Sequence, residues 1–264
     1  TTSDLGVWQP IRYGGSYGTN GFYLKFTDTT NTTTLGYDSS PNSNNWTTNN
    51  ISLTAGSTYD SMTDVPTLTS TTAANYCVWN AVDNANGEVT LKNANLEATR
   101  TSASNDWAAA RGTMFVSSGK WYFEMLSGMP TAGFYTMGVA NASLDLTGDP
   151  KSSSNAWVVY LNDGDKYNGS GSAYGSGSSA TTDVFQCALD LDNGKIWWGK
   201  NGTFFASGDP AAGTNAAFTN LSGQTLAPVA GVYGSSSSNG AIINFGQRPF
   251  AYTPPSGFVA LNTF

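Results

Sequence analysis

The sequence predicts an all-β protein: a two-sheet antiparallel β-sandwich preceded by an extended N-terminal arm. Three observations carry this expectation. Charged residues make up only 11% of the 264, while aromatics reach 13% and Gly, Ser, Thr and Asn fill much of the remainder. That leaves few Leu, Lys or Glu for amphipathic helices, and many residues that favour a pleated surface. From about residue 66 onward, short segments of alternating apolar residues follow one another with turn residues between them. No stretch sustains a helical period.

Taken in order, residues 1–65 form the arm. "GFYLKF" (21–26) is its one convincing strand, with Phe22, Leu24 and Phe26 on one face and Tyr23 and Lys25 on the other. Residues 28–50 are almost wholly polar and turn-forming. Trp8, Tyr13, Tyr17, Phe22, Tyr23 and Phe26 are too many aromatics to leave in water, yet their pattern is too broken for a core. The arm is therefore expected to dock on the sandwich or on a neighbouring copy.

Residues 66–264 form the sandwich, with strands expected at 75–80, 88–93, 96–100, 120–126, 135–140, 156–161, 184–191, 195–199, 226–234 and 241–246. The segment 120–126 sets Trp121, Phe123 and Met125 against Lys120, Tyr122 and Glu124. Loops 141–155, 162–182 and 206–220 are long for a compact domain, and long loops often carry function.

Composition excludes several function classes. The net charge is −7 and no Lys/Arg cluster occurs, which disfavours a nucleic-acid partner. No apolar run approaches the roughly 18 residues of a membrane-spanning helix. The chain starts at Thr1 with no apolar leader, as a processed start or a fragment of a longer chain would. With no histidine, Ser-His-Asp and Cys-His catalysis and His-ligated metals are unavailable. Cys77 and Cys187 have no metal-site spacing, and alternation puts Cys187 inside with Phe185, Leu189 and Leu191.

The stretch "DLDNGKIWW" (190–198) reads as a hairpin whose tight connection uses Asp192, Asn193 and Gly194 as positive-φ residues. Ile196 and Trp198 then face inward, and Asp190, Asp192 and Trp197 face outward. An outward indole at Trp197 is either a platform for stacking a sugar ring or a surface covered by residues 1–65 or another subunit. Tyr167 and Tyr174, in a Gly/Ser-rich loop, are either ligand contacts or anchors of that loop. Asn162, Asp163 and Asp165 offer hydroxyl-binding oxygens nearby. With Asn168 the same oxygens make a candidate structural calcium site, although the spacing matches no established calcium loop. No other cofactor is expected.

An enzyme reading fares poorly on residues. Retaining glycoside hydrolysis needs two carboxyls about 5–5.5 Å apart. The glutamates Glu88, Glu97 and Glu124 do not repeat along a strand face, and the Asp190/Asp192 pair flanks an exposed turn.

The series "SSGKWYFEML", "FYTMGVAN", "KYNGSG…YGSG", "DVFQCALDLDNGKIWWGKNGTFF", "LAPVAG" and "INFGQRPF" closely resembles the ordered motifs of SPRY domains, over about residues 112–250. The resemblance implies a concanavalin-like jelly roll of SPRY type, with Trp198 at the usual place of a core aromatic. The acidic Glu-x-Asp-x-x-Glu signature of glycosidases with this architecture is absent. The segments "GTNGFYLKF…LGYDSSPNSNNWTTNNIS" and "NFGQRPFAYTPPSGFVALNT" resemble marine bacteriophage tail-fibre proteins carrying such a domain. Together these imply a non-catalytic, homo-oligomeric virion surface protein, extracellular, binding host cell-surface glycan or protein through loops 141–155, 162–182 and 199–216. A structural virion component packed on other virion proteins is the alternative, and a glycan-degrading enzyme a third.

Overall fold

Alternation of apolar side chains, with buried aromatics on both faces of several strands, produces two stacked sheets. The computed structural model describes residues 13–62, 74–85, 87–101, 106–126, 135–234 and 240–263. Trp8 lies outside them. The chain divides into two units, Thr1–Leu53 and Thr54–Phe264.

In the first unit, "GFYLKF" does not form a strand. Leu24 makes a single bridge to Asp38, Phe26 turns the chain with φ 54°, and both Phe22 and Phe26 are exposed. Alternation without a partner strand to pair with does not fix a strand. A one-turn helix, α1 (Thr32–Leu35), starts where the Asn31 side chain accepts from the backbone N–H groups of Thr33 and Thr34. The organising group is Asp38. Its carboxylate accepts from the backbone N–H of Tyr23, Ser40 and Asn44 at 2.8 Å each, and from the Ser40 hydroxyl at 2.6 Å.

The second unit contains β1 (Trp79–Asn84), β2 (Val89–Lys92), β3 (Glu97–Arg100), β4 (Trp107–Gly112), β5 (Lys120–Leu126), β6 (Tyr135–Ala140), β7 (Ala156–Tyr160), β8 (Lys166–Tyr167), β9 (Gly171–Ser172), β10 (Val184–Asp190), β11 (Lys195–Lys200), β12 (Thr203–Phe204), β13 (Ala227–Tyr233), β14 (Ala241–Asn244) and β15 (Val259–Ala260). One sheet runs β1-β4-β13-β6-β7-β8-β9, the other β12-β11-β10-β5-β14-β3-β2. Pairing is antiparallel except that β15 runs parallel to the first half of β5. The expected sandwich is therefore present. Strand β4, "WAAARG", has no counterpart among the expected strands: its alanines are buried throughout and leave no alternation to read.

Between the sheets lie Phe123 and Met125 of β5, Phe185, Cys187 and Leu189 of β10, and Ile196 and Trp198 of β11. Met137 and Val139 of β6 and Val159 of β7 face them from the other sheet. Both cysteines are buried free thiols, and burial pushes the Cys77 thiol up to about 11. The Cys187 thiol is pushed up by the same cause.

The β10–β11 hairpin forms as read, with Asp190 paired to Lys195. Of its turn residues only Gly194 has positive φ, at 64°. The Asp190 carboxylate holds the turn by accepting from the Asn193 backbone N–H at 3.0 Å and its Nδ2 at 2.8 Å. Asp190 is not a solvated edge charge: it is buried, and Lys120 Nζ lies 3.0 Å away. Asp192 accepts from the Gly119 N–H at 2.7 Å, tying the hairpin to β5.

Candidate binding surface

The 141–155 loop meets the outer face of the seven-stranded sheet. Asp149 caps a one-turn 3-10 helix, Pro150–Ser152, by accepting from the Lys151 N–H at 3.0 Å, and Pro150 opens it. Pro150 seats over Gly231 of β13, where a Cβ would sit 2.9 Å from the proline ring. Only a glycine lets the turn descend that far. Lys151 is thereby held over the sheet, its Nζ 4.0 Å from the Trp107 ring centre, 3.8 Å from that of Tyr160 and 5.8 Å from that of Tyr167. Tyr160 and Tyr233 each pack against Trp107.

The charges around this cluster are set by neighbours. Burial lowers the Lys151 pKa, against the opposing pull of Asp149, whose carboxylate is 3.6 Å from Nζ, and of Asp163. Burial, then the Asp163 charge, pushes the Tyr160 phenol up to about 12. Tyr167 shifts the same way, by burial and then by Asp163.

Of the residues expected from sequence, Tyr167 and Asp163 fall at this surface, with Asn162 next to Asp163 in the chain. Tyr167 is half-buried on β8, and Asn162 and Asp163 are exposed. Asp163 closes its own turn by accepting from the Asp165 N–H at 2.9 Å. Asp165 is half-buried, its carbonyl taking the Tyr160 N–H. Asn168 spends its Nδ2 on the carbonyls of Ser154 and Ala156, both at 2.9 Å. Asp163, Asp165 and Asn168 thus serve the turn backbone, and among the described residues no cluster of three or more acidic, Cys or His groups has metal-site geometry.

Tyr174 lies elsewhere. Successive residues of a strand point to opposite faces, and Lys166, next to Tyr167, turns the other way, with Nζ 5.2 Å from the Tyr174 ring centre and 5.1 Å from that of Phe218. Tyr174 packs edge-on against Trp198 and Phe205 at the rim of the core. It anchors its loop, and its phenol pKa is raised by burial.

Trp197 requires a correction. It does point away from the inter-sheet core, but it is fully buried rather than exposed. The outer face of the eight-stranded sheet carries a second layer: Trp197 joins Tyr122, Ala188 and Phe258 in a separate apolar cluster. Its Nε1 donates to the Thr214 carbonyl at 2.7 Å, and Phe258 meets its ring edge-on at 6.4 Å. The cover is the chain's own 208–216 loop and C-terminal segment, so the indole offers no platform for a sugar.

Sequence reasoning missed Trp107, Tyr160, Lys151 and Asp149. Tyr160 ends the "AWVVY" run on the face opposite Trp157, and that outward aromatic was the available signal. Lys151 and Trp107 are far apart in sequence and only the fold joins them.

The carboxylates that an enzyme would recruit have other partners. Glu88 pairs with Arg100 at 2.6 Å, and Glu97 accepts from Asn93 at 2.6 Å and from the Gly240 N–H at 3.2 Å. Glu124 receives three donors, from Tyr122, Ala251 and Tyr252.

Comparison with known proteins finds a family match and structural relatives. Residues 120–248 match the SPRY domain family. The crystal structure of the SPRY domain of human HERC1 is similar at 18% sequence identity, covering 63% of this chain and 95% of that one, with a TM-score of 0.49.

Proposed function

We propose, from the match of residues 120–248 to the SPRY domain family, that the chain is a non-catalytic phage virion surface protein that binds host-envelope glycan or protein. SPRY domains generally mediate protein interactions. The virion assignment rests on the tail-fibre resemblance of residues 18–52 and 244–263. The observation that carries the binding reading is the Trp107–Tyr160–Tyr167 cluster, with Lys151 above it and Asp163 and Asn162 exposed beside it. Trp107 and Tyr160 are buried beneath Lys151, so the half-buried Tyr167 and the exposed Asp163 and Asn162 are the groups left to meet a polar ligand. Trp197 and Tyr174 have no part in this surface. Single-site affinity would be weak, and several copies on one appendage would add avidity.

A second reading, a structural virion component, draws on the N-terminal unit, where Tyr13, Phe26 and Trp46 are 60%, 58% and 53% exposed. Aromatics left uncovered at that level suit subunit packing. One experiment separates the two. Fluorescently labelled protein is incubated with a panel of marine bacterial isolates, as wild type and as the Tyr167→Ala/Asp163→Ala variant. Loss of adsorption with unchanged oligomer size supports binding through this surface. Normal adsorption with failed assembly replaces it with the structural reading, and normal behaviour in both assays discards the surface.

A further inference from the structure

The N-terminal unit contains an open cleft of about 1020 Å³ whose lining includes Tyr13, Tyr17, Thr19, Asn42 and Asn44 and, among the described residues, no charged one. That volume is at the upper end of small-ligand sites. Two features give it defined chemistry. The Asn42 Nδ2 donates to the carbonyls of Gly18 and Gly21, and the Asn44 Nδ2 to those of Thr19 and Gly21. With the amide nitrogens clamped, each side chain is held in place. The two Oδ1 atoms remain as acceptors with no partner among the described residues. The second feature is aromatic. Tyr13 lies against the backbone of Gly15, where a Cβ would meet its hydroxyl oxygen at 2.4 Å. Tyr17 stands edge-on to Tyr13 at 5.3 Å, and Tyr23 stacks behind Tyr17 at 6.4 Å. The Tyr13 ring is thus oriented yet largely open to solvent.

We infer that this cleft is a binding site for a neutral saccharide. Fixed amide oxygens accept from sugar hydroxyls, and an open tyrosine face packs on the C–H face of a pyranose. Among the described residues the lining carries no charge to pair with a phosphate, sulfate or uronate group. The site lies wholly in the N-terminal unit and does not rest on the sandwich surface proposed above.

The test titrates the full chain with maltohexaose, cellohexaose, laminarihexaose, mannohexaose and chitohexaose, with hexagalacturonate as the anionic comparison, by saturation-transfer NMR and calorimetry. At least one neutral hexaose is expected to bind saturably, with hexagalacturonate weaker. Tyr13→Ala should weaken binding about tenfold, the equivalent of one lost ring contact, while Tyr13→Phe stays within about threefold. Tyr167→Ala/Asp163→Ala should leave it unchanged. The inference is overturned if no neutral hexaose binds, if hexagalacturonate binds more tightly, or if Tyr13→Ala binds as tightly as wild type. Binding lost only in the Tyr167→Ala/Asp163→Ala variant would also overturn it, and would place the saccharide on the sandwich.

Discussion

The Tyr122 hydroxyl donates to Glu124 Oε1 at 2.8 Å, two residues apart on the outer face of β5. The same carboxylate accepts from the Ala251 N–H at 2.8 Å and the Tyr252 N–H at 2.9 Å. One buried side chain therefore fastens the C-terminal segment onto the sheet, and Phe250 completes the contact edge-on against Tyr122 at 4.9 Å. Glu124→Ala leaves buried donors unpaired and should cost about 2–4 kcal/mol, against about 1 kcal/mol for Tyr122→Phe. Urea melts of the two variants check this order, and equal losses would contradict it.

The same carboxylate predicts a pH dependence. Burial raises the Glu124 pKa above its ordinary 4.5, although the Ala251, Tyr252 and Tyr122 hydrogen bonds pull it down. Folding thus tightens its hold on a proton, so this contribution to stability is fully present below pH 4.5 and is lost as pH rises through the raised value. Relative to Glu124→Gln, wild type should lose stability between about pH 4.5 and pH 7. Melts at both pH values measure the difference, and a constant offset between the two proteins would exclude the shift.

Asp38 predicts the opposite behaviour in the N-terminal unit. Burial alone would raise its pKa, but the hydrogen bonds from Ser40, Tyr23 and Asn44 outweigh burial and lower it from 3.8 to about 2. Its contribution is present above pH 3.8 and is lost as pH falls toward 2. The amides of Tyr23, Ser40 and Asn44 should lose hydrogen-exchange protection together across that window. In Asp38→Asn they should already be less protected at neutral pH. Independent loss of the three would show that Asp38 is not their common anchor.

Trp197 and Trp198 are both fully buried, on opposite faces of β11. Each replaced by Ala should cost about 3–5 kcal/mol. A Trp197→Ala melt close to wild type would mean that the 208–216 loop and Phe258 do not cover it in solution.

This pair marks how far the sequence could be read. Period-two alternation correctly assigned Trp197 and Trp198 to opposite faces, because alternation is a local property of the strand. What covers the outer face is contributed by Thr214 and Phe258, which no local pattern links to residue 197. The same limit hid β4, where Ala108, Ala109 and Ala110 are all buried. It also misplaced "GFYLKF", whose alternation is real but unpaired. At the candidate surface, Tyr167 and Asp163 were legible as loop residues. Lys151 was not, because its place over Trp107 and Tyr160 depends on Gly231 admitting Pro150.

Lys151 should behave as a packed cation rather than a free one. Its ammonium lies between Trp107 and Tyr160 at about 4 Å from each ring, a geometry worth roughly 0.5–2 kcal/mol depending on desolvation. Lys151→Ala should lower stability within that range and increase acrylamide quenching of Trp107, compared against a Trp107→Phe reference. Unchanged quenching would show that the lysine does not shield the indole.

The last expectation concerns where the sandwich begins. Residues 54–62 belong to the second unit: the Gly56 N–H donates to the Pro249 carbonyl at 2.9 Å, the Arg248 guanidinium donates to the Ser57 carbonyl, and Tyr59 is buried. A chain starting at Thr54 keeps all three contacts, and its sandwich should melt within about 0.5 kcal/mol of the full protein, the usual effect of changes away from buried groups. A chain starting at residue 66 loses the Tyr59 side chain and strands the Arg248 guanidinium, and should be less stable by about 2–4 kcal/mol. Both truncations remove the exposed Tyr13, Phe22, Phe26, Tyr37 and Trp46. If those aromatics pack subunits together, both truncated chains should have fewer subunits per particle than the full chain in sedimentation, whatever their stabilities. The same number of subunits for all three would remove the N-terminal unit from any assembly role. Equal stability of the two truncations would show that residues 54–62 contribute nothing to the sandwich.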